Sequence, residues 1–292
     1  MKVSRAPSEV EPRPRSVAIG TFDGVHLGHQ AVVGQAIDAG PTPTVLTFHP
    51  HPRDVLGYGV ELVSTLERRL ELLEALGVED TLVVEFTPEV AAMTPEAFAR
   101  SHVLALGAEV VVAGEGFRFG VGRSGDLGVF ERLGAETRVT PIVPGISSRR
   151  IRELVAAGDV LGAAPMLGRP LEVQGTVVSG DARGGTLGFP TANLRVDHAL
   201  LVPAFGIYAG SALGHRAAVS IGVNPHYGGS ERRVEAFLLD FEGDLYGERV
   251  VVELWDRLRD EAVFESEADL IAQIARDVEA TRATTRPVPR VP

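Results

Sequence analysis

Residues 16–30 read SVAIGTFDGVHLGHQ. The opening run SVAIG is apolar and β-branched and has the length of a strand buried on both faces. Glycines at 20 and 24 punctuate it, and the residues that follow open a helix. His26 and His29 are spaced i, i+3, so both can point from one face of the first helical turn. Gly28 between them lets a backbone or a phosphate come close. A helix N-terminus offers unpaired N–H groups and the positive end of a dipole. Imidazoles placed there can stabilise negative charge that grows on a phosphoryl group in transfer. A bare H-x-x-H pair reads first as two capping or surface histidines. The preceding strand, the glycine turn and the second glycine favour the phosphate site.

Outward from this stretch the same alternation continues to about residue 143. TVLTF, TLVVEF, EVVVAG and TRVTPIV read as further buried strands. Ser64-x-x-Glu67 reads as a capping box for a helix carrying Leu66, Leu70, Leu73 and Leu76, with Gly77 as its stop. Thr94-Pro95 starts another helix, which Gly107 ends. Alternating strands and helices predict a parallel sheet covered on both faces. Ser147 or Ser148 caps a helix running toward Gly158, and residues 159–170 read as a short helix and linker. After Pro170 the texture changes to short runs divided by Gly, Asn and Asp turns (LEVQGTVVSG, GIYAGSAL, RAAVSIGV, VEAFLLDFEG, ERVVVELWDRL). These predict a small antiparallel barrel or sandwich. A C-terminal helix closes it, capped by Ser266-x-x-Asp269 and striped by Leu270, Ile271, Ile274 and Val278. The expected organisation is a flexible tail over 1–15, an α/β domain over 16–158, a linker over 159–170, a β-barrel domain over 171–283 and a flexible tail over 284–292.

Composition removes whole chemistries. There is no cysteine in the 292 residues, so disulfides, iron–sulfur clusters, thiolate zinc sites and cysteine nucleophiles are excluded. Lys2 is the only lysine. A P-loop lysine, a Schiff-base lysine and a protein-kinase lysine are therefore absent from the expected folded body. Phosphate handling must fall to backbone N–H groups, Arg, His, hydroxyls and a metal. The net charge of −11 opposes binding to nucleic acid or anionic membrane. No apolar run approaches the roughly 18 residues of a membrane span. The start MKVSRAPSEVEPRPRS has no apolar signal region, so a cytoplasmic location is expected.

In the second half, residues 180–194 read GDARGGTLGFPTANL, with four glycines in the first nine positions. Such a loop can wrap phosphates with its N–H groups, or it can be a glycine-rich hairpin. The Thr191 hydroxyl and the Asn193 amide oxygen are hard oxygen donors suited to Mg²⁺. Residues 146–152, ISSRRIR, place two hydroxyls at a helix N-terminus beside Arg149, Arg150 and Arg152. They suit an anion, or equally a helix cap with solvated arginines.

The motif G-x-F-D-G-x-H-x-G-H resembles the nucleotidyltransferase superfamily with the H-x-G-H signature. Within it, the match is to the adenylyltransferase module of the bifunctional riboflavin kinase/FAD synthetase family. TFHPHPRDVL (47–56), GFRFGVGRSGD (116–126) and ISSRRIR (146–152) resemble that module's second, third and fourth motifs. GFPTAN resembles the riboflavin kinase fingerprint, and GIYAG, SIGVNP, RRVEAFLLDFEGDLYG and FESEADLIAQIARD follow in the family's order. The resemblance spans about residues 16–282. It implies a Rossmann-like nucleotidyltransferase domain followed by a riboflavin kinase barrel. It implies ATP-dependent phosphorylation of riboflavin to FMN in the second domain, and adenylylation of FMN to FAD with release of pyrophosphate in the first. It carries His26, His29, Asn193 and Glu235 over as catalytic residues, Glu235 being the base for the ribityl hydroxyl. Gly20, Phe22, Asp23, Gly28, Ser147, Ser148, Arg152, Gly180, Gly188 and Thr191 are carried over to ATP, and Thr191 and Asn193 to Mg²⁺. Phe48, Pro50, His51, Phe117, Phe189 and Arg259 are carried over to the flavin.

Read from the residues alone, Glu235 lies in an apolar strand on the face of Phe237 and Leu239. Burial there would raise its pKa toward that of a useful base. The other reading is a strand-edge glutamate paired with Arg232 or Arg233. Trp255 and Tyr246 read as core or rim residues. The chain departs from the family where Gly116 replaces Asn or Asp, Arg149 replaces Thr, and Asn224-Pro225-His226 replaces Asn-Pro-Thr. Two other functions fit the same residues: a riboflavin kinase whose first domain has lost or changed its acceptor, and a non-catalytic flavin-binding or regulatory protein. The expected partners are small-molecule substrates (ATP, riboflavin and FMN).

Overall fold

The structure is a computed structural model that describes residues 1–179, 189–223 and 232–288. The chain forms two compact units, Met1–Ser147 and Ser148–Pro292.

The first unit is a six-stranded sheet in the order β1-β4-β3-β2-β5-β6. Its strands are β1 (Lys2–Ser4), β2 (Arg15–Ile19), β3 (Pro43–His49), β4 (Asp80–Glu85), β5 (Ala108–Gly114) and β6 (Glu136–Thr140). Every pairing is parallel. Helices α1 (Leu27–Asp38), α2 (Pro52–Val55), α3 (Leu66–Ala75), α4 (Pro88–Ala91), α5 (Pro95–Phe98) and α6 (Gly128–Arg132) make the connections. β2 is buried along its whole length. Its alternate side chains serve two cores: Val17 and Ile19 meet Leu46, Leu82, Phe98 and Phe130 on one face, and Ala18 meets Val32, Val33, Leu73 and Val112 on the other. This is why the central strands read as continuous apolar runs.

The second unit opens with α7 (Ser148–Ala156) and α8 (Val160–Leu167). It continues as a closed barrel in the order β10-β11-β8-β7-β12-β9. The strands are β7 (Leu171–Val178), β8 (Ala192–Val196), β9 (Gly206–Ala212), β10 (His215–Val223), β11 (Arg232–Leu238) and β12 (Arg249–Arg259), and α9 (Glu267–Ala283) follows. All barrel pairings are antiparallel. Ser266 caps α9 by accepting the Asp269 amide, as its spacing predicts. α9 packs on β9 and β10. No helix among the described residues is long and apolar enough to cross a membrane.

Several expectations change. Residues 1–15 are not a loose tail: β1 pairs in parallel with β4, so Lys2 lies in an edge strand. Arg15 is the buried first residue of β2, where its guanidinium reaches Asp80, Thr44 Oγ1 and the Leu106 carbonyl. A polar, proline-rich segment conceals this because its anchors are backbone pairing and one buried cation. The helix over 148–156 belongs with the barrel, since α7 packs on α8 and α8 on β7 and β12. The N-cap of α3 is Thr65, which accepts the Arg68 amide; Ser64 is used elsewhere. The helix expected from Thr94 to Gly107 breaks into α5, a π turn over Ala99–Val103 and a 3-10 turn over Leu104–Leu106. The second tail is tied down as far as Arg286, which pairs with Glu253 at 2.7 Å.

Candidate active sites

In the first unit the strand order reverses at β2, whose neighbours are β3 and β5. A crevice at the carboxyl end of such a strand is the common ligand site of open parallel sheets. The chain leaves β2 there through a strained turn: Phe22 (φ 49°) and Val25 (φ 40°) adopt the positive φ that branched and bulky side chains avoid. The turn is held from β3, because the Gly20 amide donates to the Leu46 carbonyl (3.1 Å) and Thr47 Oγ1 donates to the Thr21 carbonyl (3.0 Å).

His26 is the N-cap of α1 and is buried. Its Nδ1 accepts the His29 amide at 3.2 Å, so the neutral ring carries its proton on Nε2. The two imidazoles stack with centroids 3.5 Å apart and planes 17° apart, and Phe22 meets His29 edge-on at 5.5 Å. The histidines that the spacing puts on one face do share it. Gly28 makes this possible: a Cβ there would stand 3.1 Å from His26 Cε1.

Asp23 faces inward. It is 1 % exposed and accepts the amides of Val63 (3.0 Å) and Ser64 (3.1 Å). Ser64 Oγ in turn accepts the Gly24 amide at 2.9 Å. Arg69, also 1 % exposed, lies 3.9 Å from Asp23 and donates to the Phe48 carbonyl at 3.3 Å. Burial pulls the Arg69 pKa below its ordinary value, while Asp23 and Glu67 oppose that fall. Ser64 and Arg69 anchor the turn from forty or more residues away; the capping-box signature marks Ser64 for a different task, and no local signal marks Arg69.

Beside this lies the second motif. The His49–Pro50 peptide is cis, and His51 caps α2 by accepting the Arg53 amide at Nδ1 (3.2 Å). Phe48 and Phe117 are partly buried against the same core. Phe48 contacts Phe86 and Phe98, and Phe117 stacks on Phe119 at 5.5 Å. Gly116 is exposed at φ 74°, with nothing within 4 Å of a Cβ placed on it. Asn and Asp tolerate that conformation best among other residues, so glycine keeps the backbone while leaving out a polar side chain. Ser147 ends the first unit, and Ser148 and Arg152 lie in α7 of the second. Arg149 and Arg150 pair with Glu153 at 3.1 and 3.3 Å, which holds that carboxylate below its usual range.

In the second unit the register of β8 on β11 sets Asn193 directly opposite Glu235. Val234, Ala236 and Leu238 are buried while Glu235 and Phe237 are half-exposed. The Glu235 side chain is 31 % exposed, with Arg233 Nη1 3.7 Å away. The buried carboxylate expected from the apolar sequence is therefore not found: the apolar neighbours at 234, 236 and 238 fill the barrel, and Glu235 stands on the other face. Phe189 meets Phe237 edge-on at 5.4 Å on that face. Asn193 Nδ2 donates to the Thr191 carbonyl at 3.4 Å, which leaves its amide oxygen available.

A cleft of about 320 Å³ adjoins these residues, lined by Val178, Thr191, Asn193, Phe241, Leu245 and Tyr246 among others. Tyr246, read as core or rim, is 58 % exposed on its wall. The turn signal in FEGDLYG could have located that wall, since it closes the loop after β11. Arg259 lies at the end of β12 with its guanidinium committed to Asp277 (2.7 and 2.9 Å), and Trp255 is buried with Nε1–H donating to Glu253. Gly180, Gly188 and Asn224-Pro225-His226 lie outside the described residues. Among the described residues no cluster of three or more His, Asp or Glu could hold a metal by itself. Thr191 and Asn193 fit an ion that takes its remaining oxygens from phosphates and water.

Two family comparisons divide the chain as the two units do. Residues 8–149 match the FAD synthetase family and residues 167–285 the riboflavin kinase family. The bifunctional riboflavin kinase/FMN adenylyltransferase of Listeria monocytogenes is 37% identical over 286 residues, covering 91% of each chain. That of Bacillus subtilis is 36% identical, covering 91% of this chain and 92% of its own. That of Escherichia coli K12 is 33% identical over 95% and 96%. A crystal structure described as a macrolide-efflux protein from Streptococcus pneumoniae is 32% identical, with a TM-score of 0.86, over 97% of this chain and 99% of its own. With a switch-point histidine pair in one unit and an Asn–Glu register in the other, the chain belongs to the bifunctional riboflavin kinase/FMN adenylyltransferase family.

Proposed function

We propose that the barrel unit phosphorylates riboflavin and the sheet unit adenylylates the resulting FMN, with separate residues for each step. In the first step the ribityl hydroxyl attacks the γ-phosphorus of ATP. Glu235 accepts the hydroxyl proton, the bond to the bridging oxygen breaks, and FMN and ADP result. The cleft at Thr191 and Asn193 takes the nucleotide, with Phe241, Leu245 and Tyr246 as the apolar wall for its base. Thr191 Oγ1 and the Asn193 amide oxygen would hold Mg²⁺, which supplies charge neutralisation on the phosphates when bound. Phe189 and Phe237 supply an aromatic edge beside Glu235 suited to a flavin.

In the second step an FMN phosphate oxygen attacks the α-phosphorus of another ATP. The bond to the β-phosphate oxygen breaks, and pyrophosphate leaves as FAD forms. His26, His29 and the α1 N-terminus stabilise the charge on the pentavalent phosphorus and the departing pyrophosphate. Phe48, Pro50, His51 and Phe117 form the acceptor side. Asp23 acts through the turn that it anchors. In the sheet unit Ser147 serves the triphosphate, and in the barrel unit Arg259 serves the flavin, as the family pattern implies. Both steps consume ATP, which supports a cytoplasmic location.

The observation that carries this reading is the direct opposition of Asn193 and Glu235 across β8 and β11, in a unit separate from the paired histidines. Incubation of the purified protein with riboflavin, ATP and Mg²⁺ should give FMN and then FAD, resolved by chromatography. FMN without FAD would refute the adenylylation half, no FMN would refute the phosphorylation half, and supplied FMN that gave no FAD would refute adenylylation independently of the barrel.

A further inference from the structure

The turn that carries the histidines and the end of β3 are joined by a side chain that lies in neither motif. Arg69 projects from α3 with 1 % of its surface exposed. One terminal nitrogen faces Asp23 Oδ1 at 3.9 Å, and the other donates to the Phe48 carbonyl at 3.3 Å. Asp23 is three residues before His26, and Phe48 is three before His51. Arg69 Nε is buried with no hydrogen-bond partner among the described residues. A buried ion pair with an unmet donor is a poor stabilising device, because apolar side chains of the same size often serve the fold as well. What a planar, always-charged fork supplies is fixed geometry between two groups. Ser64 adds to the same anchorage through the Gly24 amide.

We propose that Arg69 is a positioning residue for adenylyl transfer, fixing the His26/His29 turn against the His49-Pro50-His51 turn through Asp23 and the Phe48 carbonyl. The inference rests on the reading of this site as the adenylylation site. It assigns Asp23 to the same task and makes the pair a determinant of rate.

The test measures FMN adenylylation, with FMN supplied, in Arg69→Lys, in the double variant Asp23→Asn/Arg69→Met, and in His29→Ala, alongside thermal midpoints and riboflavin kinase activity in the full chain. The double variant removes both charges together and so leaves no lone buried ion. It should melt near the wild type while its adenylylation kcat falls about 10- to 100-fold, with the KM for ATP changed less than about twofold. Arg69→Lys keeps the charge but cannot serve both partners with a planar fork, and its kcat should fall between the two. A double variant with wild-type stability and wild-type kcat would overturn the proposal. Should the double variant fail to fold, a wild-type kcat in Arg69→Lys would overturn it equally. Full adenylylation in His29→Ala would instead overturn the reading of the site itself, whatever the Arg69 variants do.

Discussion

At Gly28 one hydrogen separates the stacked imidazole pair from a crowded one. An added methyl would stand 3.1 Å from His26 Cε1 and 3.2 Å from Nδ1. The ring it meets is buried and stacked on His29, so it yields only by disturbing that stack. Gly28→Ala should therefore lower adenylylation kcat about tenfold or more while the riboflavin kinase rate stays at the wild-type level. Steady-state assays of the two reactions check this, and equal loss in both would point to general unfolding instead. The histidines were legible in the sequence because their spacing, the strand before them and the glycine between them are all local. Asp23 was legible as part of a motif but not in its task, since its partners Val63, Ser64 and Arg69 are forty or more residues away. The exposure of Glu235 is not legible in the sequence for a related reason. In a closed barrel one apolar face fills the interior, and an apolar strand does not say which of its two faces that is.

At the scale of elements, adjacent hydroxyls at the start of α3 do different work. Thr65 caps the helix through the Arg68 amide, and Ser64 holds Gly24 of the histidine turn. Thr65→Ala should cost about 1 kcal/mol of stability with adenylylation intact, whereas Ser64→Ala should slow adenylylation. Denaturant melts and rate assays on both variants separate the roles, and identical behaviour would contradict the assignment. The S/T-x-x-E signature could not distinguish them, because Ser64 and Thr65 are both acceptable caps. β8 is not legible as a strand because its outward residues are polar and it is only five residues long; pairing on both sides makes it one. The segment after α9 is not legible because its holds, the Arg216 guanidinium on the Thr284 carbonyl and the Arg286–Glu253 ion pair, come from far away in the sequence. Burial raises the Glu253 pKa, but Arg286, Trp255 and Ser211 outweigh it and leave that carboxylate below its usual range. A depressed folded pKa adds stability above the unfolded value of about 4.3, and that stability is lost as pH falls through the lower folded value. Arg286→Ala should thus melt below the wild type at neutral pH, and the gap should close as the medium is acidified below about pH 4. A gap of constant size across that range would mean that Arg286 acts by packing rather than charge.

At the scale of the whole molecule, a chain with a single lysine runs two reactions on ATP. The count excluded the Walker-type and protein-kinase routes. It left the two sites proposed above, one on imidazoles at a helix N-terminus and the other on Thr191, Asn193 and Glu235. The change of texture after Pro170 made the two folds visible in the sequence, whereas the unit boundary at Ser147 was not, because it depends on the packing of α7 on α8. Two differently built sites in two units should be separable by single substitutions. Glu235→Gln keeps the size and the register opposite Asn193 but cannot accept a proton, so FMN formation should fall by about 100-fold or more, while supplied FMN still becomes FAD. His29→Ala should show the reverse, accumulating FMN from riboflavin without FAD. The decisive experiment mixes these two proteins with riboflavin, ATP and Mg²⁺. FMN released by the His29→Ala protein is then substrate for the intact first unit of the Glu235→Gln protein, and FAD should reappear. Its appearance in the mixture, with none from either variant alone, requires both that the sites are independent and that FMN leaves the barrel before it is adenylylated. If supplied FMN still became FAD in the Glu235→Gln protein while the mixture made none, the FMN formed by the His29→Ala protein would be held on its barrel and not released.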